Sequence, residues 1–326
     1  MTMAPAQTAV SAAPYAPAAS ARRIQVEDRV FFGLTLVSAV LVAGLLIAVL
    51  VSLLVGAWPA LSTFGPAFVW TERWSPVKEI FGALAPIYGT IVSSVIAMVI
   101  GIPVSFGIAI FLIDICPERL RRPIGIAIEL LAGIPSIIYG LWGFFVFAPF
   151  MQAVVQPFLI DVLGPIPLIG VLFGGAPYGI GLLTSGIVLA IMVLPFITAV
   201  TRDVFETVPV LLRESAYGMG MTTWEVVRHI TIPYTRVGLV GGIMLGLGRA
   251  LGETMAVTFV VGNAHRISGS LLAPATTISA TIANEFTEAT DGLYTSSLVA
   301  LGLILFVITF AVLAFAKWLI IRSEAH

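Results

Sequence analysis

An arginine and a glutamate lie four residues apart inside a segment that is otherwise apolar. Arg249 and Glu253 interrupt a run from Val237 to Val261 that consists mostly of Gly, Leu, Val, Ala and Met. At about 1.5 Å per helical residue, Arg249 is expected roughly 18 Å into a hydrocarbon layer about 30 Å thick. A cation at that depth costs at least ~2.5–3.5 kcal/mol and normally faces a protein interior or a wet path.

The spacing predicts that Glu253 projects from the same helix face as Arg249 and partly neutralises it. An arginine fork suits an oxyanion, and a nearby carboxylate would position the guanidinium and weaken its hold so that the anion can leave. Thr254 and Thr258 are expected to line the same path with hydroxyls. The competing hypothesis is a structural ion pair that holds two subunits together.

The composition indicates an integral membrane protein. The chain has 326 residues, 59% hydrophobic and 10% charged, with a mean hydropathy of +1.07. A soluble domain carries about 25% charged residues. Cys116 is the single cysteine, which excludes an intramolecular disulfide, and the three histidines are too scattered to predict a metal site. No secretory signal with a cleavage site is evident, so the first apolar run is expected to remain as an anchor.

Apolar runs predict an all-α fold with six transmembrane helices. Residues 1–28, rich in Ala, Pro, Ser and Thr, are interpreted as a disordered cytoplasmic tail. Residues 29–83 are expected to form the first transmembrane helix and an extracytoplasmic loop, and 84–322 the membrane-embedded core. Each run holds the ~20 apolar residues that a span requires. The predicted spans are 30–56, 84–113, 124–150, 179–201, 237–262 and 296–320.

The distribution of basic residues predicts the orientation in the membrane. Six spans place both termini on one side. Of the 16 Lys and Arg, twelve lie in the tail, the C-terminal region and the loops 114–123 and 202–236, three lie in the opposite loops, and one is Arg249. Because cytoplasmic loops carry the excess of Lys and Arg, both termini are expected in the cytoplasm.

The opposite loops, about 57–83, 151–178 and 263–295, are long. The second contains the apolar segment 158–173, which Gly164, Pro165 and Pro167 interrupt. This segment fits an interfacial or partly buried hairpin better than a seventh span, which would put the C-terminus outside.

The inward loop 202–236 is predicted to be a compact knob of two short helices. Pro209 starts the first helix, which ends near Gly218 and Gly220. Thr222 stands three residues before Glu225, a capping box that opens the second helix, which Pro233 is expected to stop. Trp224, Val227 and Ile230 give the second helix an apolar stripe.

The spacing within this knob resembles the EAA motif of binding-protein-dependent ABC importer permeases. The motif has Glu-Ala-Ala, three residues, Gly, nine residues and then Ile-x-Leu-Pro. Ser215 replaces the first alanine and Ile232 the leucine. The resemblance implies that the knob is a coupling helix that docks on an ATPase subunit. The residues expected to dock are Glu214, Ser215, Ala216, Gly220, Thr222, Trp224, Ile230 and Pro233.

Three further stretches resemble the phosphate-specific transport (Pst) permeases, and most nearly the PstC-type subunit. They are residues 129–143, residues 241–257 and Asn284-Glu-Phe286. The resemblance covers roughly residues 84–320 and implies a type I ABC importer permease architecture in the bacterial inner membrane. It also associates Arg249 and Glu253 with the passage of phosphate.

The chain lacks a sequence that could bind ATP. A phosphate-binding loop needs the pattern Gly-x-x-x-x-Gly-Lys-Ser/Thr, and neither Lys78 nor Lys317 fits it. We therefore expect no enzyme activity and no cofactor in this chain, with ATP and Mg bound by a partner. The resemblance implies a PstA-type second permease, a PstB-type ATPase dimer and a PstS-type phosphate-binding protein, and no nucleic acid.

Alternatives to a phosphate importer remain open on the sequence alone. One Arg–Glu pair does not fix the anion, so sulfate and molybdate importers share the prediction. An ion-coupled secondary transporter would need inverted repeats or broken helices with acidic residues at depth. An intramembrane enzyme would need clustered catalytic groups near one interface, whereas His229 stands alone in its loop.

Overall fold

The computed structural model describes residues 18–167, 169–290 and 292–324, and their regular structure is nearly all helical. Short π-helical turns at 111–115, 143–147, 151–155 and 227–231 continue several of the helices. In chain order the helices are α1 Ala18–Phe64, α2 Ala67–Trp70, α3 Leu84–Ile110, α4 Glu118–Ala132, α5 Ser136–Trp142, α6 Ala148–Phe150, α7 Gln156–Leu163, α8 Ile169–Phe173, α9 Leu182–Glu206, α10 Val210–Gly218, α11 Thr223–Val226, α12 Ile232–Gly252, α13 Met255–Val260, α14 Ile278–Glu285 and α15 Gly292–Glu324.

The chain divides into one unit up to Ser52 and a second unit from Leu53 onward. Within the first unit, residues 18–52 are helical and carry exposed apolar side chains such as Phe31. Residues 1–17 of the predicted tail lie outside the described residues. Residues 18–28, predicted as part of that tail, instead begin α1, because this Ala- and Arg-containing stretch favours a helix over a coil.

Six helices of the described chain are long and apolar enough to cross a membrane, which confirms the predicted number. The second, fourth and sixth spans of the structure lie close to the positions predicted for them. No further span forms at 158–173, where α7 completes the third span and α8 follows it. The six spans are Glu27–Phe64, Leu84–Ile115, Ser136–Leu163, Leu182–Glu206, Thr223–Gly252 and Gly292–Trp318.

The prediction for the third span, 124–150, was wrong. The chain forms a separate helix, α4, which ends at Ala132, and the span itself starts at Ser136. Gly133 and Pro135 separate the two helices, because a proline disfavours the helical conformation of the residue before it. Met151–Leu163, assigned to an outer loop from the sequence, is therefore the end of this span.

The fifth span also differs from its prediction, 237–262. Its helix begins at Thr223 and continues past Pro233, which therefore does not stop it. The π-helical turn Val227–Thr231 precedes Pro233, which then occupies a first-turn position of α12, where a missing N–H costs no helical hydrogen bond. The helix ends at Gly252, so the predicted continuous span is interrupted.

The centre of the second unit is one apolar core shared by α3, α9 and α12. Met98, Ile197 and Ala250, one residue from each helix, are all buried in it. Small residues of α12 permit a close approach to α9. A Cβ at Gly246 would lie 2.7 Å from the Ile197 side chain, and one at Gly238 would lie 2.6 Å from Val204. Glycine at these positions lets α12 lie directly against α9.

A partly buried carboxylate joins the loops on the side opposite the knob. Glu285, at the end of α14, accepts hydrogen bonds from Trp74 Nε1 at 2.6 Å and Tyr294 OH at 2.7 Å. His265 Nε2 lies 2.8 Å from its other oxygen, and the Trp74 and His265 rings stack at 5.4 Å. Glu285 therefore ties the segment before α3, the loop after α13 and the start of α15 to one another.

Replacing this carboxylate should destabilise the protein in a pH-dependent manner. Burial alone would raise the pKa of Glu285, but the hydrogen bonds from His265, Tyr294 and Trp74 outweigh it and hold the pKa below its ordinary value. The stabilisation is then fully present above the ordinary pKa and is lost as the pH falls through the lower, folded-state value. We expect Glu285→Gln to lower the free energy of unfolding in detergent by about 1–3 kcal/mol at pH 7.

The difference between Glu285→Gln and wild type should shrink as the pH falls below about 4.5, the ordinary pKa of a glutamate. Exposed Glu288, three residues away, provides the control, and Glu288→Gln should change the stability little at either pH. Equal stability of wild type and Glu285→Gln at pH 7 would contradict the assigned role.

Candidate functional site

Arg249 lies in the last turn of α12, half-buried, with its guanidinium over the Phe196 ring at 4.4 Å from the ring centroid. Its Nε is buried and has no hydrogen-bond partner among the residues that the structure describes. The C-terminal end of a helix favours a cation, and an aromatic face adds to that attraction. The guanidinium is thus held in place while part of its hydrogen-bonding capacity stays unused.

The predicted pairing of Arg249 with Glu253 was wrong. Because α12 ends at Gly252, Glu253 has extended backbone, with ψ 127°, and the i, i+4 geometry of a helix does not apply. Within the described residues, these two side chains form no ion pair. Glu253 Oε1 instead accepts a hydrogen bond from the Ala256 N–H at 3.3 Å, at the start of α13. The glutamate therefore caps the next helix.

Thr254 and Thr258, the two hydroxyl residues predicted to line a path, lie at the same interruption. Thr258 Oγ1 donates to the Thr254 carbonyl at 2.7 Å, and Thr254 Oγ1 makes a longer contact of 3.4 Å with the Gly252 carbonyl. The Thr254 carbonyl also accepts the Thr258 N–H at 3.0 Å, so the Thr258 hydroxyl adds a second hydrogen bond to it, and the Thr254 hydroxyl turns back to the end of α12.

A second helix break, between α4 and α5, lies beside the break between α12 and α13. The break between α4 and α5 lies at residues 133–135, and the Tyr139 OH bridges it by donating to the Leu131 carbonyl at 2.9 Å. Helix α5 approaches α13 so closely that a Cβ on Gly140 would lie 3.1 Å from Ala256 Cα. Arg249 also acts electrostatically on Tyr139. Two breaks and one cation therefore occupy the same region.

Such an arrangement suits the passage of an anion. Irregular backbone is tolerated at membrane depth only where protein buries it or where it lines a cavity, and transporters use interrupted helices to bind substrates. The sequence did not predict that the two breaks lie close together. Gly133 with Pro135 was a signal for one break, and the glycines before Glu253 were a weaker signal for the other.

The first helix, the bend and the capping box of the knob form as predicted, but its second helix continues into α12. The capping box is present: the Glu225 N–H donates to Thr222 Oγ1 at 3.4 Å, and the Thr222 N–H donates to Glu225 Oε2 at 2.8 Å. Gly220 has φ +88°, a conformation that only glycine adopts without strain, and it makes the bend between α10 and α11.

The residues predicted to dock point in different directions. Ala216 is buried and supports the knob from inside, and Ile230 is partly buried. Val227, placed in the same stripe as Trp224, is fully buried, so the predicted stripe is divided between the inside and the surface. The members that are exposed are Glu214, Ser215, Gly220, Thr222, Trp224 and Pro233.

Other apolar side chains of the knob are also in solvent. Leu211 and Met219 are 73% and 77% exposed, and Trp224 is 62% exposed. Exposed apolar residues concentrated on one small projection are typical of a protein-binding surface. These residues extend the surface that the motif alone predicted.

A charged cleft of 420 Å³ lies between α4 and the end of α9. Arg202 forms an ion pair with Glu129 at 2.7 Å and another with Asp203 at 3.0 Å. Arg121 and Arg122 line the same cleft. Glu129 lies in residues 129–143, one of the stretches that resemble the Pst permeases. Its carboxylate is paired with Arg202 of the same chain.

Comparisons with known proteins agree with this architecture. Residues 101–323 match the family described as binding-protein-dependent transport system inner membrane component. The chain is 62% identical to the phosphate transport system permease protein PstC of Mesorhizobium japonicum, over 99% of each chain. It is 58% identical to the protein of the same name from Pasteurella multocida, over 88% of this chain and 89% of that one.

Two solved structures share the fold at low sequence identity. A chain of the MetNI methionine ABC transporter, in an inward-facing conformation, has a TM-score of 0.55 and 15% identity, covering 77% of this chain and 99% of its own. A chain of a bacterial alginate ABC transporter has a TM-score of 0.57 and 16% identity, covering 90% and 94%. At this identity the likeness concerns the fold alone.

A double-mutant cycle can test which neighbour holds Arg249. We expect Arg249→Gln and Phe196→Leu to show a coupling energy of about 0.5–2 kcal/mol in the free energy of unfolding, because the guanidinium lies on the ring. The matched cycle, Arg249→Gln with Glu253→Gln, should be additive within about 0.5 kcal/mol. A larger coupling with Glu253 than with Phe196 would show that the ion pair, and not the ring, is the main partner.

Proposed function

Because the chain belongs to the family of binding-protein-dependent transport system inner membrane components, we propose that it is a membrane-spanning permease subunit of an ATP-driven importer of inorganic phosphate. It is a multi-pass membrane protein with the fold of type I ABC importer permeases. The relatives named as phosphate permeases match it over nearly their whole length, which favours phosphate over sulfate or molybdate. The excess of basic residues in the knob loop and the termini supports cytoplasmic termini.

The observation that carries the proposal is the half-buried guanidinium of Arg249 at the interrupted fifth span. A phosphate ion leaving water needs positive charge and several hydrogen-bond donors, and a planar arginine fork supplies both. No carboxylate neutralises this arginine within the described part of the chain, so its charge remains available to an oxyanion.

Phe196 takes the positioning role that the sequence assigned to Glu253. A cation–π contact is worth about 0.5–2 kcal/mol, enough to orient the side chain and little enough for an anion to draw it away. Release of the anion is favoured when the guanidinium returns to the ring. Thr254 and Thr258 lie beside this route, and Glu253 acts indirectly by fixing the start of α13.

The remaining functions of an importer belong to partner proteins. The exposed knob residues, among them Glu214, Leu211 and Trp224, form the surface on which a PstB-type ATPase dimer docks. That ATPase binds ATP and Mg, and this chain needs no cofactor of its own. A PstA-type permease completes the translocation path, and a PstS-type binding protein delivers phosphate to the outer loops.

Phosphate uptake into proteoliposomes tests the function directly. With all four subunits reconstituted, uptake of labelled phosphate should require ATP on the side of the ATPase. Arg249→Gln should lower uptake at least about tenfold, since a hydrogen bond to a charged group contributes about 1.5–3 kcal/mol. Exposed Arg119 provides the control, and Arg119→Gln should leave uptake unchanged.

Other outcomes of the uptake assay separate the alternatives. Uptake driven by a pH gradient without ATP would favour a secondary transporter. Preferential uptake of labelled sulfate would indicate a different oxyanion importer. Failure of Arg249→Gln to assemble with its partners, while Arg119→Gln assembles, would support a structural role for the arginine.

Docking of the ATPase depends on the bend at Gly220. Val in place of this residue must adopt φ near +88°, which costs at least ~1–2 kcal/mol for a residue with a side chain. We expect Gly220→Val to reduce the amount of ATPase that copurifies by about tenfold. Gly218→Val adds the same volume in open space without a positive φ, and it should retain the ATPase.

The docking surface is misassigned if Gly220→Val retains a full complement of ATPase and hydrolysis stays stimulated by the binding protein. A circular dichroism spectrum equal to wild type should accompany the loss of ATPase, because the strain is confined to the knob.

A further inference from the structure

A buried ion pair connects the knob to the body of the permease. Arg213, on α10, contacts Asp114 with Nη1 at 3.1 Å from Oδ1, and Asp114 lies in the π-helical turn that ends the second span. The Asp114 side chain is 5% exposed and that of Arg213 is 16% exposed. The pair is therefore shielded from water, in contrast to the exposed outer face of the knob.

Arg213 also reaches a third element. Its Nη2 donates to the carbonyl of Phe205, in the last turn of α9, at 3.2 Å. Beside it, Arg121 Nη2 donates to the Ile113 carbonyl at 2.7 Å. The C-terminal ends of two spans thus converge on one guanidinium, where their dipoles favour a positive charge.

The hydrogen bonding around this pair is incomplete. Asp114 Oδ2 and Arg213 Nε are buried without a partner in the described ranges of the chain. A buried pair with unused polar atoms contributes little net stability, since desolvation offsets much of its attraction. Separating the two charges, however, leaves the Arg213 guanidinium buried without its carboxylate, which is unfavourable, while Asp114 keeps only the attraction of Arg121. The pair therefore stabilises the fold poorly but holds α10 at a fixed position on the end of the second span.

The second span leads from this pair to the region of Arg249. Ala97 and Met98 of α3 lie in the same buried core as Ile197 of α9 and Ala250, the residue after Arg249. Close-packed cores transmit displacement because they have no free volume to absorb it. A shift of the knob that moves Asp114 must therefore reach the packing around the interrupted fifth span.

We infer that Asp114 and Arg213 are positioning residues that transmit movement of the docked ATPase to the permease core. This inference rests on the proposed function, in which an ATPase binds the outer face of α10. The knob has two surfaces with separate roles. Exposed apolar residues such as Leu211 hold the ATPase, and the buried pair on the opposite side connects α10 to α3 and α9.

The test measures the number of phosphate ions imported per ATP hydrolysed by the complete importer in proteoliposomes. Asp114→Asn should lower the yield of assembled complex, because Arg213 loses its carboxylate, but the complexes that form should keep stimulated hydrolysis near wild type and lower this ratio about five- to tenfold, the range expected for loss of a coupling contact. Asp114→Glu, which keeps a carboxylate for Arg213, should retain at least half of the wild-type ratio. Asp203→Asn removes an exposed carboxylate at the same end of α9 and should leave the ratio unchanged.

Three results would overturn the inference. They are a proportional loss of hydrolysis and import in Asp114→Asn, an unchanged ratio, and a complete failure of Asp114→Asn to assemble that Asp114→Glu does not share. Each would make the pair structural or dispensable. If the wild-type complex imports no phosphate with ATP, the proposed function fails, and the role of the pair is then judged from the stimulation of hydrolysis by the binding protein.

Discussion

The absence of water inside a bilayer is the constraint on which the rest of this structure depends. Every backbone group and every charge that enters the hydrocarbon layer needs a partner from the protein. Two features would be costly against lipid: a guanidinium half-buried in the last turn of α12, and the neighbouring helix breaks before α5 and before α13. The protein supplies partners at each of them. The Tyr139 hydroxyl donates to the Leu131 carbonyl at one break, Glu253 accepts the Ala256 N–H at the other, and the Phe196 ring covers one face of the guanidinium.

The same constraint explains how the two ends of the molecule are built. At one end, the Glu285 carboxylate accepts hydrogen bonds from Trp74 and Tyr294 and lies beside His265. These contacts hold three segments of the chain together. At the other end, Arg213 joins the C-terminal ends of two spans to the knob. In both places a single charged side chain organises several elements, because few polar groups are available in a chain that is 10% charged.

Much of the fold follows from local pattern. The number of spans and the capping box at Thr222 depend on runs of apolar residues and on residues three apart, and both were predicted correctly. The errors occurred where two local signals compete. At Pro233 a π-helical turn lets the helix continue, whereas at Pro135 the helix ends. A proline in the sequence does not distinguish these cases, because the neighbours that stabilise each one are distant along the chain.

The sequence by itself determined that the chain carries six apolar spans, that an arginine lies within the fifth apolar run and that a capped bend precedes that run. Hydropathy, charge and turn residues influence the structure within a few positions along the chain, so their effect can be predicted without knowing the tertiary fold. Only the tertiary structure decided what the charges contact. Glu253 caps α13, Arg249 lies on Phe196, and Asp114 meets a residue 99 positions away. These contacts depend on where α12 ends and on how α3, α9 and α10 pack, and no local pattern specifies either.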